Sequence, residues 1–117
     1  MVSPGLIPVA ATAADACLGS ADEAALLACR QGAYADASQR LRQAVDKLRQ
    51  RYQDDEPERA TLLSTAQRAW RRYQAAECRF RHVESKSGRA YQAYLLACLT
   101  ELSERRLQDL QDVLATP

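Results

Sequence analysis

The segment from Cys78 to Cys98, CRFRHVESKSGRAYQAYLLAC, sets the architecture because it places one cysteine ten residues before Gly88 and the other ten residues after it. Residues 85–88 form the break between two long helical patterns. In an antiparallel helical hairpin that turns at Gly88, both cysteines lie about 15 Å from the turn. A disulfide requires Cα atoms within about 7 Å, which facing helices at equal height allow. The spacing therefore predicts a Cys78–Cys98 disulfide.

The other two cysteines, Cys17 and Cys29, are left to pair with each other. Spacing alone does not settle connectivity, so the two other ways of pairing the four cysteines stay open. An even count in a short chain is typical of disulfide-bonded proteins from an oxidising compartment. The alternative is four buried free thiols in a cytosolic bundle. The gaps between the cysteines are too long for a zinc site, so we expect no metal ion and no cofactor.

The composition excludes most fold classes. The 117 residues include 22 Ala and 15 Leu, but only 5 Val and 1 Ile. Ala and Leu are strong helix formers, whereas β-branched residues fill strands, so we expect an all-α fold. The formal net charge of +1 gives no general argument for nucleic acid as a partner.

Four helices are predicted in one small bundle, a short first helix and then three longer ones. Residues 20–23 fit a capping box, and the first helix should end near Arg30 because Gly32 suits the left-handed position after a helix. The second should end before Pro57, which starts the third helix near its N1 position. The third helix should run to about Ser85. The positions expected on its inner side are Leu62, Leu63, Ala66, Trp70, Tyr73, Glu77 and Phe80.

Residues 1–16 precede the predicted domain, which spans residues 17–114. The apolar stretch from Leu6 to Ala11 leads into small residues, as at the end of a secretory signal, but no positive charge precedes it. We interpret residues 1–16 as a signal-peptide remnant or a flexible N-terminus. No apolar run reaches the roughly 18 residues of a membrane-spanning helix.

The segment from Ala66 to Cys78, AQRAWRRYQAAEC, resembles the signature AQRAWxxYRDAEC of the bacterial lysozyme inhibitor LprI N-terminal-like domain family. The family's closing pattern is matched by Cys98, Leu99, Leu102, Ser103, Arg106 and Leu110. The resemblance implies a cysteine-bridged helical domain that is periplasmic or secreted, and it implies lysozyme inhibition. Two positions depart from the family: Gln74-Ala75 stand in place of Arg-Asp, and Ser38-Gln39 in place of Leu-Asn.

Five residues of this resemblance have a structural interpretation. Trp70, Tyr73 and Glu77 share one helix face, with Trp70 anchoring the core. Gln67 lies one turn from Trp70 and is expected to bind backbone groups across the bundle. The hairpin register sets Arg106 level with Trp70, so we expect the guanidinium to stack on the indole or to pair with an acid.

No catalytic constellation is recognisable, so we do not expect an enzyme. The single histidine, His82, has no predicted partner for acid–base chemistry and is expected to be a solvated surface residue. Glu77 and Glu84 would lie about 10 Å apart along one helix face, a separation conceivable for an inverting glycosidase, but no substrate-binding aromatics surround them.

Basic residues cluster within residues 40–51 and within residues 68–81. Each cluster is interpreted as a solvated face, with a continuous stripe that binds an anionic polymer as the alternative. The loops at residues 85–89 and 54–58 are the natural inserting elements of a binding module. The candidate partner-binding residues are Arg68, Arg71, Arg72, Ser85, Lys86, Ser87, Gly88 and Arg89.

Two functions are compatible with these features. The first is a non-enzymatic exported module that binds a protein and covers the cleft of a lysozyme. The alternative is a structural or envelope-interaction protein that binds an anionic partner through its Arg-rich face and inhibits nothing.

Overall fold

The computed structural model describes residues 15–117, which form three α-helices. They are α1 (Glu23–Tyr52), α2 (Pro57–Arg81) and α3 (Tyr91–Ala115). Short 3₁₀ helices, Asp15–Cys17 and Val83–Ser85, precede α1 and α3. The all-α class is confirmed for this part of the chain, and none of its helices is long and apolar enough to cross a membrane. The predicted signal remnant, apart from its last two residues, lies outside the described residues.

The predicted break after Arg30 is wrong, because α1 continues through Gly32 over 30 residues. Gly32 does not adopt the positive φ of a helix-terminating glycine. The side chain of Arg30 is buried against α3, where its Nη1 donates a hydrogen bond to the carbonyl oxygen of Ala93 at 3.1 Å. This packing and the Ala-rich flanks offset the roughly 1 kcal/mol that a glycine costs inside a helix. The bundle therefore has three helices and not four.

The start of α1 also differs from the predicted capping box. Asp22 is the N-cap, and its Oδ1 accepts a hydrogen bond from the backbone N–H of Ala25 at 2.7 Å. Ser20 instead donates through Oγ to the carbonyl oxygen of Cys17 at 2.7 Å, within the turn that follows the first 3₁₀ helix. A carboxylate is the stronger cap here because it also interacts favourably with the helix dipole.

The helices alternate in direction, so α1 and α3 run parallel and α2 runs antiparallel to both. Arg30 of α1 contacts Ala93 near the beginnings of α1 and α3. Near the ends of the same helices, Arg51 donates to the carbonyl oxygens of Leu114 at 2.8 Å and Thr116 at 3.1 Å. The connection between α1 and α2 therefore lies at the opposite end of the bundle from the connection between α2 and α3.

The core has two parts, and Trp70 of α2 packs against both of them. The larger part consists of buried residues of α1 and α3, namely Leu41, Ala44, Val45, Leu48, Tyr52, Leu107 and Leu110. The smaller part surrounds Cys78, Cys98 and Leu102. Trp70 thus joins the α1–α3 contact to the α2–α3 contact.

Both predicted disulfides are confirmed. Cys78 and Cys98 are bonded with their Cα atoms 5.6 Å apart, and Cys17 is bonded to Cys29 with a Cα separation of 5.7 Å. The first links α2 to α3, and the second ties the chain before α1 to the first turns of α1. The alternative pairings and the alternative of free thiols are thereby excluded.

The inner face predicted for α2 is wrong at four positions. Ala66 is exposed, and so are Leu62, Tyr73 and Phe80, with 60%, 53% and 74% of their surface accessible. The buried residues of α2 are two glutamines, Gln67 and Gln74, together with Cys78. Apolar periodicity points to the wrong side of this helix because the face of α2 that packs on its neighbours combines Leu63, Trp70 and Cys78 with the two buried glutamines.

Candidate functional site

A cleft of about 530 Å³ opens between α1 and α2. Its α1 wall includes Tyr34, Arg42 and Arg49. Its α2 wall includes Gln67, Trp70, Arg71 and Gln74, and α3 contributes Ser103. This volume lies within the range of about 300–1,000 Å³ that is typical of small-molecule sites. Aromatic rings, amides, hydroxyls and guanidinium groups therefore share one concave surface.

Two buried amides fix the α2 wall to α3. The Nε2 atom of Gln74 donates to the carbonyl oxygen of Leu99 and to Oγ of Ser103, each at 2.8 Å. The Oε1 atom of Gln67 accepts from Nε of Arg106 at 3.1 Å. Both glutamines are only 6% exposed. Their hydrogen bonds hold α2 in place where an apolar face would otherwise be expected.

Arg106 has a different partner from the two that were expected. Its guanidinium bonds the amide of Gln67, neither the indole of Trp70 nor an acid. Gln67, for its part, contacts a side chain and not the backbone across the bundle. The sequence analysis placed Gln67 and Arg106 close together, both near Trp70, but it did not predict the hydrogen bond between them. Gln74 was missed as a structural residue, although its spacing of seven from Gln67 puts both on the same helix face.

The rim of the cleft is positively charged. Arg42, Arg49 and Arg71 line it together with one acid, Asp46. Asp46 bonds Arg49 at 3.5 Å, and both side chains are exposed, so this pair contributes little to stability. The two basic clusters of the sequence thus meet across the cleft through Arg42 and Arg49 on one side and Arg71 on the other. Arg68 and Arg72 are exposed on α2 but do not line the cleft.

The loop residues singled out by the sequence do not form one site with the cleft. Gly88 donates its backbone N–H to the carbonyl oxygen of Ser85 at 2.8 Å, so this connection is a compact turn. Lys86, Ser87 and Arg89 are exposed on it. Arg89 borders a separate hollow of about 260 Å³ beside the start of α1. The other candidate loop, around Asp54, lies at the far end of the bundle, so the two loops cannot enter one cleft together.

Glu77 belongs to a network of ion pairs on the surface between α2 and α3. Its carboxylate accepts from Nε of Arg81 at 2.8 Å, and Arg81 also contacts Glu101 at 3.3 Å. Arg105 bonds the same Glu101 at 2.6 Å. The hydrogen bond that Arg81 donates to Glu77 raises the pKa of Arg81. Arg81 therefore links α2 to α3, and Glu77 holds the guanidinium of Arg81 from within α2.

His82 is half-buried, which differs from the predicted solvated position. Its ring stacks on Tyr94 with centroids 5.6 Å apart and an interplanar angle of 9°. Within residues 15–117, no group of three or more metal-binding side chains comes together. The cleft is thus the feature of the described chain that best combines concavity, aromatic surface and charge.

Comparison with known proteins gives one match. The family model described as "Lysozyme inhibitor LprI" matches residues 14–110. That range contains all four cysteines and every residue of the cleft. No curated protein and no solved structure matches the chain significantly.

Proposed function

The chain belongs to the lysozyme inhibitor LprI family, and on that premise we propose that it is an exported, non-catalytic module that binds and inhibits a lysozyme. The observation that carries this proposal is the family match over residues 14–110. The two disulfides support export, because such bonds persist in oxidising compartments. Inhibition by covering a cleft needs a rigid shape and no catalytic chemistry.

The end of the bundle between α1 and α2 is the best candidate for contact with a lysozyme. Asp54 and Asp55 are exposed there, next to Glu56 and Glu58. Many lysozymes are basic, and an acidic surface favours encounter with a basic partner. Only a short connection separates the end of α1 from Pro57, so these acids are concentrated in one turn. This geometry favours insertion of the acidic tip into a cleft.

The test is a dose–response assay of the oxidised protein against several animal and bacterial lysozymes, at low and at physiological salt. We expect stoichiometric, saturable inhibition. Replacing Asp54 and Asp55 with asparagine should weaken inhibition about tenfold, because electrostatic steering is lost. Glu84→Gln is the matched control, an exposed acid in the connection between α2 and α3 at the opposite end of the bundle. Absence of inhibition of every lysozyme at micromolar concentration would refute the proposal.

A second candidate function follows from the positive rim of the cleft. A module that binds an anionic partner through Arg42 and Arg71, and inhibits nothing, would use this surface. Trp70 is the only tryptophan of the chain and lines the cleft, so its fluorescence reports on occupancy. Titration with poly-glutamate should change this fluorescence in a salt-sensitive manner. Arg71→Ala should weaken the change, and Arg68→Ala, outside the cleft, should not.

A further inference from the structure

The exposed residues of α2 contain an apolar stripe of unusual regularity. It consists of Leu62, Ala66, Ala69, Tyr73, Ala76 and Phe80, all of them exposed. The spacing along the chain is four, three, four, three, four. The stripe is about 27 Å long, and Val83, which is 60% exposed, extends it beyond the helix.

This spacing is that of a coiled-coil seam. Alternating steps of three and four give the 3.5-residue repeat with which one helix packs continuously along another. The bundle does not use this seam, since α2 meets α1 and α3 through a different face that contains Gln67, Trp70 and Cys78. Three alanines along the seam leave room for a second helix to approach closely. α2 therefore has one face that packs within the bundle and another that is unoccupied.

The charges beside the seam identify the kind of helix that fits. With Ala66, Tyr73 and Phe80 at heptad position a, Arg72 and Arg79 occupy position g along one edge. Within the described residues, Arg72 forms no ion pair. Arg79 bonds only the carbonyl oxygen of Ala75 in its own helix, at 3.2 Å. This edge is therefore positive and not neutralised by the bundle itself.

The opposite edge offers no free charge. There the heptad positions e are Leu63 and Trp70, which pack on the core, and Glu77, which is bonded to Arg81. A second copy of the chain is consequently a poor occupant. An antiparallel pair would bring Arg72 of each copy together at the two-fold axis, and a parallel pair would direct Arg72 at a Glu77 that already has a partner.

We propose that the seam is a docking surface for an amphipathic helix of another protein, whose apolar stripe is bordered by acidic residues. The acidic border would meet Arg72 and Arg79, and its large side chains would pack over Ala66, Ala69 and Ala76. This inference goes beyond lysozyme inhibition and does not depend on it. Only Leu62, at the start of the seam, borders the acidic tip, and the rest of the seam extends along α2 away from that tip.

The test uses two fluorescein-labelled, hydrocarbon-stapled helical peptides of roughly three heptads that share one apolar stripe. One peptide carries glutamate along its edges and the other carries lysine. Binding to the oxidised full chain is measured by anisotropy. We expect the glutamate peptide to bind about tenfold more tightly than the lysine peptide, and Arg72→Glu to reverse that order.

Ala69→Glu, in the middle of the seam, should weaken binding of the glutamate peptide at least about tenfold. Ala35→Glu is the matched control, an exposed alanine of α1 outside the seam, and should leave binding unchanged. Circular dichroism melts establish that each variant is folded. Equal affinity for both peptides, or no binding of either, would overturn the proposal. A dimer would also overturn it. If light scattering shows that the unmodified protein is a dimer and that Ala69→Glu dissociates it, the occupant of the seam is a second copy.

Discussion

Replacing Gln74 with methionine is a sharp test of the polar contact between α2 and α3. The two side chains have similar volume, so the change removes hydrogen bonds without opening a large cavity. Gln74 donates two bonds at 2.8 Å, to Leu99 and to Ser103, from a site that is only 6% exposed. At about 0.5–1.5 kcal/mol for each bond, Gln74→Met should lower the free energy of unfolding by about 1–3 kcal/mol.

The lower half of that range is the expected result. The hydroxyl of Ser103 is able to turn toward the carbonyl oxygen of Leu99 one helical turn earlier, which restores part of its hydrogen bonding. Urea unfolding of the oxidised protein gives the value, with an unchanged m-value as the check on two-state behaviour. A double-mutant cycle with Ser103→Ala isolates the coupling, expected at about 0.5–1.5 kcal/mol. A coupling near zero, or a methionine variant as stable as the parent, would refute the argument that this amide positions α2.

Three further predictions concern the rest of the bundle. Replacing Cys78 and Cys98 with alanine should cost about 3 kcal/mol in urea unfolding, because a loop with a sequence separation of 20 is released in the unfolded chain; a loss below about 1 kcal/mol would contradict this account. Gly32→Ala should raise stability by about 1 kcal/mol and increase Tm, since the glycine lies within a helix and an added Cβ would meet nothing within 4 Å; a lower Tm is the opposing result. Arg51→Ala should accelerate hydrogen exchange in the last turn of α3, because the guanidinium bonds the carbonyl oxygens there, including that of Leu114 at 2.8 Å. Unchanged exchange would show that water replaces the guanidinium of Arg51 without loss of stability.

The Cys78–Cys98 disulfide could be predicted from the sequence because it depends only on helix rise and chain counting, and Cys17–Cys29 then followed by elimination. Cys78 and Cys98 are equidistant from Gly88, and helical geometry converts that symmetry into contact. The number of helices could not be predicted by counting residues in this way. Gly32 has the local signature of a helix end, but tertiary packing on both sides of it, with Arg30 bonded to Ala93 and Ala37 buried, favours a continuous helix that no local pattern predicts.

Only part of the candidate site could be predicted from the sequence. The two arginine clusters are visible in the sequence, but their meeting across a cleft depends on how α1 and α2 are rotated about their axes. The rotation of α2 is held by the packing of Trp70 and by the hydrogen bonds of Gln67 and Gln74 with α3, and a hydrophobic pattern assigns such glutamines to the surface. The same rotation turns Tyr73 and Phe80 outward, so the error in the predicted inner face of α2 and the exposed seam have one physical cause.

Each disulfide lies within one part of the molecule, so only the backbone links α1 covalently to α2 and α3. Cys17–Cys29 lies wholly within the chain up to α1, and Cys78–Cys98 joins α2 to α3. No disulfide of the described chain crosses from α1 to the other two helices. A single backbone cut between Tyr52 and Pro57 would therefore yield two polypeptides that separate in denaturant even without a reducing agent. In native buffer, side-chain packing and the hydrogen bonds of Arg30 and Arg51 alone would hold them, which makes this connection the natural place to divide the protein into two complementing fragments.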